Sequence, residues 1–204
     1  MLNADVLTFQ EFAMRETLPL SRIHETVLEF LQGREDVVLF GAQAVNAYVS
    51  EPRMTQDIDL LSTDAANLAE KLRAFLSDKF HIAVRVREIG DKGLRVCQVR
   101  KEGNRHLIDV RLVAEFPETQ TIEKIRVLSP VELIASKVIS YHSRFGKSKS
   151  WTDRRDLTVL LLQFPELKEK VSESLRAKNV GEAILKTWAE IASQDLQVED
   201  DDRD

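Results

Sequence analysis

Three aspartates carry the chemistry that the sequence suggests. Asp57 and Asp59 are separated by one residue in Gln56-Asp57-Ile58-Asp59-Leu60. On a strand, residues i and i+2 project to the same side, so both carboxylates point together while Ile58 and Leu60 turn to a core. Two carboxylates that close repel, and one is driven towards protonation unless a cation lies between them. Magnesium, or manganese in its place, suits carboxylate oxygens combined with substrate phosphates. Asp109 repeats the pattern in Leu107-Ile108-Asp109-Val110-Arg111-Leu112, where Asp109 and Arg111 share one side and Ile108, Val110 and Leu112 the other. An acid in an apolar strand is costly without a partner. If the two strands are neighbours, three carboxylates converge on a site able to hold two ions, which would activate an attacking hydroxyl and stabilise a departing pyrophosphate.

Gly41 supplies the phosphate side. It stands between the apolar run Val37-Val38-Leu39-Phe40 and the helix-favouring stretch from Ala42 to Val49. A glycine there lets backbone approach a phosphate, and the helix start offers N–H groups and a positive dipole end. An Asp-x-Asp or a single glycine alone is commonplace; the ordered combination is what makes a triphosphate-and-metal pocket the reading.

The elements that must position these residues follow from periodicity. A helix is expected over Leu20–Leu31, a buried strand over 36–40, a second strand over 56–61 and an amphipathic helix over 64–79. Three strands are expected over 81–89, 94–101 and 105–113, separated by turns at glycines 90, 93 and 103, with one further strand over 121–128. Ser129-Pro130-Val131-Glu132 is a capping-box start, after which the chain reads as helical to about residue 194, with breaks near Gly146 and at Phe164-Pro165. The expected organisation is an α/β (α+β) core with N-terminal helices over 1–128, a helical portion over 129–195 and a disordered acidic tail over 196–204.

The 204 residues, 43% hydrophobic and 31% charged, are those of an ordinary globular chain. No apolar run is long enough for a membrane helix, and the N-terminus lacks the order of a signal peptide, so a cytoplasmic protein is expected. Cys97, the single cysteine, excludes intrachain disulfides and multi-cysteine zinc sites, and reads as a buried small residue. His24, His81, His106 and His142 are scattered without zinc-ligand spacing. Trp151 reads as a packing residue. The net charge of −5 argues against a dedicated nucleic-acid binder. Yet eight basic residues (Arg85, Arg87, Lys92, Arg95, Arg100, Lys101, Arg105, Arg111) face four acids between 85 and 111. Such a cluster is either a solvated sheet face or a guide for a phosphate-rich acceptor.

The ordered pattern resembles the nucleotidyltransferase superfamily of the DNA polymerase β type, in the branch of the AbiEii-type toxins of abortive-infection systems. That branch has Arg-x-Thr-x-Asp-hydrophobic-Asp before a later third acid. Arg53, Thr55, Asp57, Ile58 and Asp59 match the first element and Asp109 the second. Downstream, Lys137 matches a helix lysine, and Asp153, Asp156 and Leu157 match an Asp-x-x-Asp-Leu element. The resemblance covers roughly 36–162 and implies a nucleotidyltransferase-type mixed sheet flanked by helices. It further implies metal ligation and catalysis by Asp57, Asp59 and Asp109. Gly41, Ala42, Arg53, Thr55, Lys137, Asp153 and Asp156 would lie on the nucleotide side.

Two departures stand out. Ala42 takes the place of the usual second glycine or serine, so no hydroxyl is offered to phosphate there. Thr152 replaces the basic residue before Asp153, a charge that Lys149, Arg154 or Arg155 would have to supply. Lys137 lies in an apolar helix stretch, where it must meet an anion: either nucleotide phosphate or Asp153 or Asp156 as an ion pair.

The implied activity is magnesium-dependent transfer of a nucleoside monophosphate from a nucleoside triphosphate to an acceptor hydroxyl. The toxin branch implies tRNA as acceptor and an antitoxin protein as partner. Two rival readings are a nucleotide-binding module with little turnover, invited by Ala42 and Thr152, and an adenylyltransferase acting on a protein or a small molecule.

Overall fold

The computed structural model describes residues 11, 17–90 and 93–197. The chain divides into two compact units, residues 1–47 with 51–128 and residues 48–50 with 129–204. The expected acidic tail falls almost wholly on 198–204, outside the described residues.

Unit 1 is built on a seven-stranded mixed sheet. Helix α1 (Leu20–Leu31) leads to β1 (Val38–Phe40), α2 (Gly41–Asn46), β2 (Ile58–Ser62) and α3 (Ala65–Phe80). The strands β3 (Val84–Ile89), β4 (Gly93–Gln98), β5 (Arg105–Leu112), β6 (Thr119–Ile122) and β7 (Ile125–Leu128) follow. Their spatial order is β3-β4-β5-β2-β1-β7-β6. β2 therefore lies between β1, antiparallel to it, and β5, parallel to it.

Alternation sets the two faces of the sheet. Ile58, Leu60, Val96, Ile108 and Val110 are fully buried on one side. There α3, capped by the Asp64 carboxylate accepting from Asn67 N–H at 3.4 Å, turns in Leu68, Leu72 and Leu76. Phe75 stacks on Phe30 of α1 at 4.9 Å between ring centroids. The intervening residues Asp59, Arg95, Cys97 and Asp109 belong to the other face.

Two expectations for unit 1 need correction. The single strand over 121–128 is a hairpin, β6 and β7, and β7 runs parallel to β1. Its turn residues Glu123 and Lys124 have φ of 49° and 64°, a left-handed geometry that turn-forming residues such as glycine or asparagine would have signalled. Gly41 and α2 form as the sequence suggests, but the helix stops at Asn46.

Unit 2 is helical: α4 (Pro130–Ser143), α5 (Ser148–Gln163), a 3₁₀ turn (Pro165–Leu167), α6 (Lys168–Ala177) and α7 (Glu182–Ala192). The Ser129 hydroxyl accepts from Glu132 N–H at 3.4 Å, capping α4. The Glu132 carboxylate accepts from Ser174 at 2.8 Å and lies 2.7 Å from Lys178 Nζ, tying α4 to the end of α6. The chain breaks again at 178–181, where Asn179 takes φ of 51°. Leu133, Ile134, Val138, Leu157, Leu160, Val171 and Leu175 fill the core. Trp151 does not pack: it is 77% exposed, because Asp153, Asp156 and Leu157 occupy the inward side of α5. Among the described residues no helix is long and apolar enough to cross a membrane.

Candidate active site

The site is assembled on the carboxylate face of β2, β4 and β5. Asp59 stands opposite Phe40 on β1 and opposite Asp109 on β5, so Asp59 and Asp109 are in-register neighbours on one face. Asp57 sits immediately before β2. Gly41 abuts Asp59. Its φ is 70°, and a Cβ there would fall 2.0 Å from Asp59 Oδ2 and 2.8 Å from Asp59 Cβ. The glycine is therefore required twice, by the left-handed backbone and by the approach of the carboxylate.

His106 joins the acids, which its sequence position conceals. It lies three residues before Asp109, and on a regular strand that offset places side chains on opposite faces. Here the pairing shifts: Val96 faces Ile108, but the next residue, Cys97, faces His106. Leu107 is the extra residue of a β-bulge. Leu107 and Ile108 are both buried in the core, and His106 is thereby returned to the face of Asp109. Its Nδ1 lies 3.2 Å from Asp57 Oδ2 and its Nε2 2.7 Å from Asp109 Oδ1. Asp57, His106 and Asp109 each offer a ligand atom within 4.8 Å of the others.

Arg95 is the second group that local sequence conceals. Directly across the ladder from Asp109, it makes a two-pronged pair with Nε at 2.8 Å from Oδ1 and a terminal nitrogen at 2.9 Å from Oδ2. Burial would raise the Asp109 carboxyl. Hydrogen bonds from Arg95 and His106, with their charges, outweigh that and hold it well below the usual carboxylate range. Asp109 is thus kept ionised. Arg85 and Arg87 stand opposite Cys97 and Arg95 and are exposed, so they extend this face as a row of guanidinium groups. Cys97 lies beneath them, 3% exposed; burial pushes its thiol up against the pull of Arg95, Arg85 and Arg87. Arg111, also exposed, covers the Phe40 ring at 5.0 Å.

Arg53 and Thr55 support the segment that delivers Asp57. Asn46 brackets the Arg53 peptide, accepting from its N–H at 3.0 Å and donating to its carbonyl at 2.7 Å. The Thr55 hydroxyl donates to the Asp57 carbonyl at 3.0 Å and accepts from Gln43 Nε2 at 3.2 Å. Ala42, beside Gly41, is buried.

Lys137, Asp153 and Asp156 come together within unit 2. Lys137 Nζ lies 2.6 Å from Asp156 Oδ2 and 3.5 Å from Asp153 Oδ1, and all three residues are buried. The other oxygen of Asp153 is taken by Arg144 at 2.9 Å, so the nearby charge comes from α4's C-terminus. Arg154 instead donates to Gln194, and Arg155 lies 4.0 Å from Asp156.

A strand–glycine–helix–strand unit with acids on adjacent strands is the architecture of the nucleotidyltransferase fold, and solved structures of that fold match it. The Megavirus polyadenylate synthase is similar with a TM-score of 0.61 at 12% identity, over 76% of this chain and 34% of that one. JHP933 from Helicobacter pylori gives 0.53 at 15% identity, over 92% and 90% of the two chains. ANT(2")-Ia in complex with adenylyl-2"-tobramycin gives 0.53 at 16% identity, over 85% and 100%. The chain thus spans about a third of the Megavirus enzyme and nearly all of the other two. The family model "Nucleotidyl transferase AbiEii toxin, Type IV TA system" matches residues 25–203, and the chain belongs to that family. A search of curated sequences finds no match.

Proposed function

We propose that unit 1 transfers a nucleoside monophosphate from a nucleoside triphosphate to a hydroxyl of an RNA acceptor, with divalent ions held by Asp57, Asp59 and Asp109. The observation that carries this reading is the in-register placement of Asp59 beside Asp109, where Asp57 and His106 also offer ligand atoms within 4.8 Å of each other and of one on Asp109. The donor set fits a divalent ion: acids of adjacent elements share one face, and Asp109 is kept ionised, the form that binds a cation. Bound magnesium or manganese would neutralise triphosphate charge and ease ionisation of the hydroxyl. In the transfer, the acceptor oxygen bonds to the α-phosphorus and the bond to the bridging oxygen breaks. Pyrophosphate leaves with the electron pair, and the hydroxyl proton is released.

The chain's own contribution is positioning. Gly41 admits Asp59, while Thr55 and Asn46 fix the approach to Asp57. The row of Arg85, Arg87 and Arg111 on the same face supports a phosphate-rich acceptor such as tRNA. The family's toxin–antitoxin description supports an antitoxin protein as partner. For Lys137, Asp153 and Asp156 we favour an ion-pair network bracing α4 against α5 over direct phosphate contact.

The test is calorimetric titration of manganese with each nucleoside triphosphate, run on wild type and on Asp57→Asn/Asp59→Asn, with pyrophosphate detection over RNA, protein and metabolite pools. Metal-dependent binding lost in the variant and pyrophosphate released with RNA are expected. Binding without turnover would reduce the protein to a nucleotide-binding module. Turnover on a protein or small-molecule pool would replace the acceptor.

A further inference from the structure

A cavity of about 210 Å³ lies in unit 1 between α1, α2 and the segment that leads into Asp57. Its polar lining includes His24, Gln43, Asn46 and Thr55, and its apolar lining Leu20, Pro52 and Met54. It is smaller than the sites that take drug-sized ligands, roughly 300–1,000 Å³.

The hydrogen bonds of this lining fix their own direction. Asn46 is oriented by the Arg53 peptide, which accepts from its Nδ2 and donates to its Oδ1. Nδ2 also donates to Gln43 Oε1 at 3.5 Å, so Gln43 turns its amino group the other way. That group donates to Thr55 Oγ1, whose own hydrogen goes to the Asp57 carbonyl, and it faces His24 Nδ1 at 3.4 Å. A donor facing Nδ1 needs a lone pair there, so the imidazole hydrogen is on Nε2. His24 is 7% exposed, and its Nε2 is buried without a hydrogen-bond partner among the described residues. Burial first, and the charge of Arg105 second, lower its pKa to about 4, so the ring is neutral. A buried donor left unmade is costly, and native proteins keep few of them.

We propose that this cavity binds a nucleobase, a neutral planar ring whose faces meet Leu20, Pro52 and Met54 and whose edge accepts the His24 Nε2 hydrogen. The imidazole is uncharged, and the two charged residues of the lining, Glu11 and Arg53, are of opposite sign, so the lining offers phosphate no net positive charge and suits a neutral acceptor. The choice of a nucleobase, from the incoming nucleotide or from the acceptor strand, rests on the nucleotide-transfer reading above. Through Gln43 and Thr55 an occupant is linked to the main chain of Asp57.

The experiment uses the full chain labelled with ¹⁵N-histidine and titrated with each of the four ribonucleosides at millimolar concentration without divalent ions. In the free protein the His24 spectrum should show a neutral ring protonated at Nε2. At least one nucleoside should shift the Nε2 resonance saturably, in wild type and in Asp57→Asn alike. His24→Leu should weaken that nucleoside about tenfold. A shift abolished by competition from a non-hydrolysable triphosphate with manganese assigns the base to the incoming nucleotide. A shift that persists assigns it to the acceptor. A ring protonated at Nδ1, or no nucleoside shifting Nε2 in wild type, overturns the proposal. Because binding is read without metal and in Asp57→Asn, this result is independent of whether the carboxylates bind an ion.

Discussion

Replacing Gly41 by alanine separates two costs that the structure keeps apart. The first is the backbone: an L-residue at φ of 70° costs about 1–2 kcal/mol. The second is contact. The new methyl would lie 2.0 Å from Asp59 Oδ2, which rotation of the carboxylate relieves. It would also lie 2.8 Å from Asp59 Cβ, which no rotamer can move, so β2 must shift against β1. Gly33 is a matched control, with φ of 73° and nothing within 4 Å of the place an added methyl would take. Gly33→Ala should therefore lower Tm by about 2–8 °C through backbone cost alone. Gly41→Ala should lower it further and weaken manganese binding, read by calorimetry, on the order of 10–100-fold, as misoriented metal ligands do. If the two variants match in Tm and ion affinity, Asp59 is not held against Gly41 as described, and the case for a shaped carboxylate site fails.

Three other outcomes are expected. Lys137→Met leaves Asp153 and Asp156 buried without the ammonium, which should cost about 3–5 kcal/mol in urea unfolding; a loss under about 1 kcal/mol would remove Lys137 from the framework of unit 2. His24 has a folded pKa of about 4 against 6.5 when unfolded, so the unfolded chain binds the proton first as pH falls. Stability should drop by about 2–3 kcal/mol between pH 6.5 and 4, and His24→Gln should flatten that part of the profile while wild type keeps it. Arg95→Met frees Asp109 Oδ2 and leaves Oδ1 to His106 alone, and should tighten manganese binding on the order of tenfold; unchanged or weaker binding would show that Arg95 does not compete.

What the sequence discloses about this site is what alternation discloses. Ile58, Leu60, Ile108 and Val110 face the core, so Asp59 and Asp109 must face away, and the pattern Arg53-x-Thr55-x-Asp57 points to the same region. Arg95 is invisible locally because its partner is fourteen positions distant and reached only through ladder register. His106 is hidden because counting by twos crosses an inserted residue. The β6–β7 turn escapes because Glu123 and Lys124 adopt left-handed geometry without a residue that advertises it. Capping is more readable: Asp64 and Ser129 start their helices where their side chains can accept backbone N–H groups, a signal contained within four residues.

The inserted Leu107 makes β5 a strand of two phases joined at one residue. Downstream of it, Asp109 looks to the carboxylate side. Upstream, the phase is reset, so that His106 looks there too while Arg105 turns towards Glu11 and the Leu18 carbonyl. Were Leu107 instead paired in a regular ladder, the two addresses would be exchanged. A guanidinium would enter among the aspartates, and an imidazole would be sent towards Glu11 and Leu18. The identity of the group beside the acids is thus written in how the strand is paired as much as in residue type.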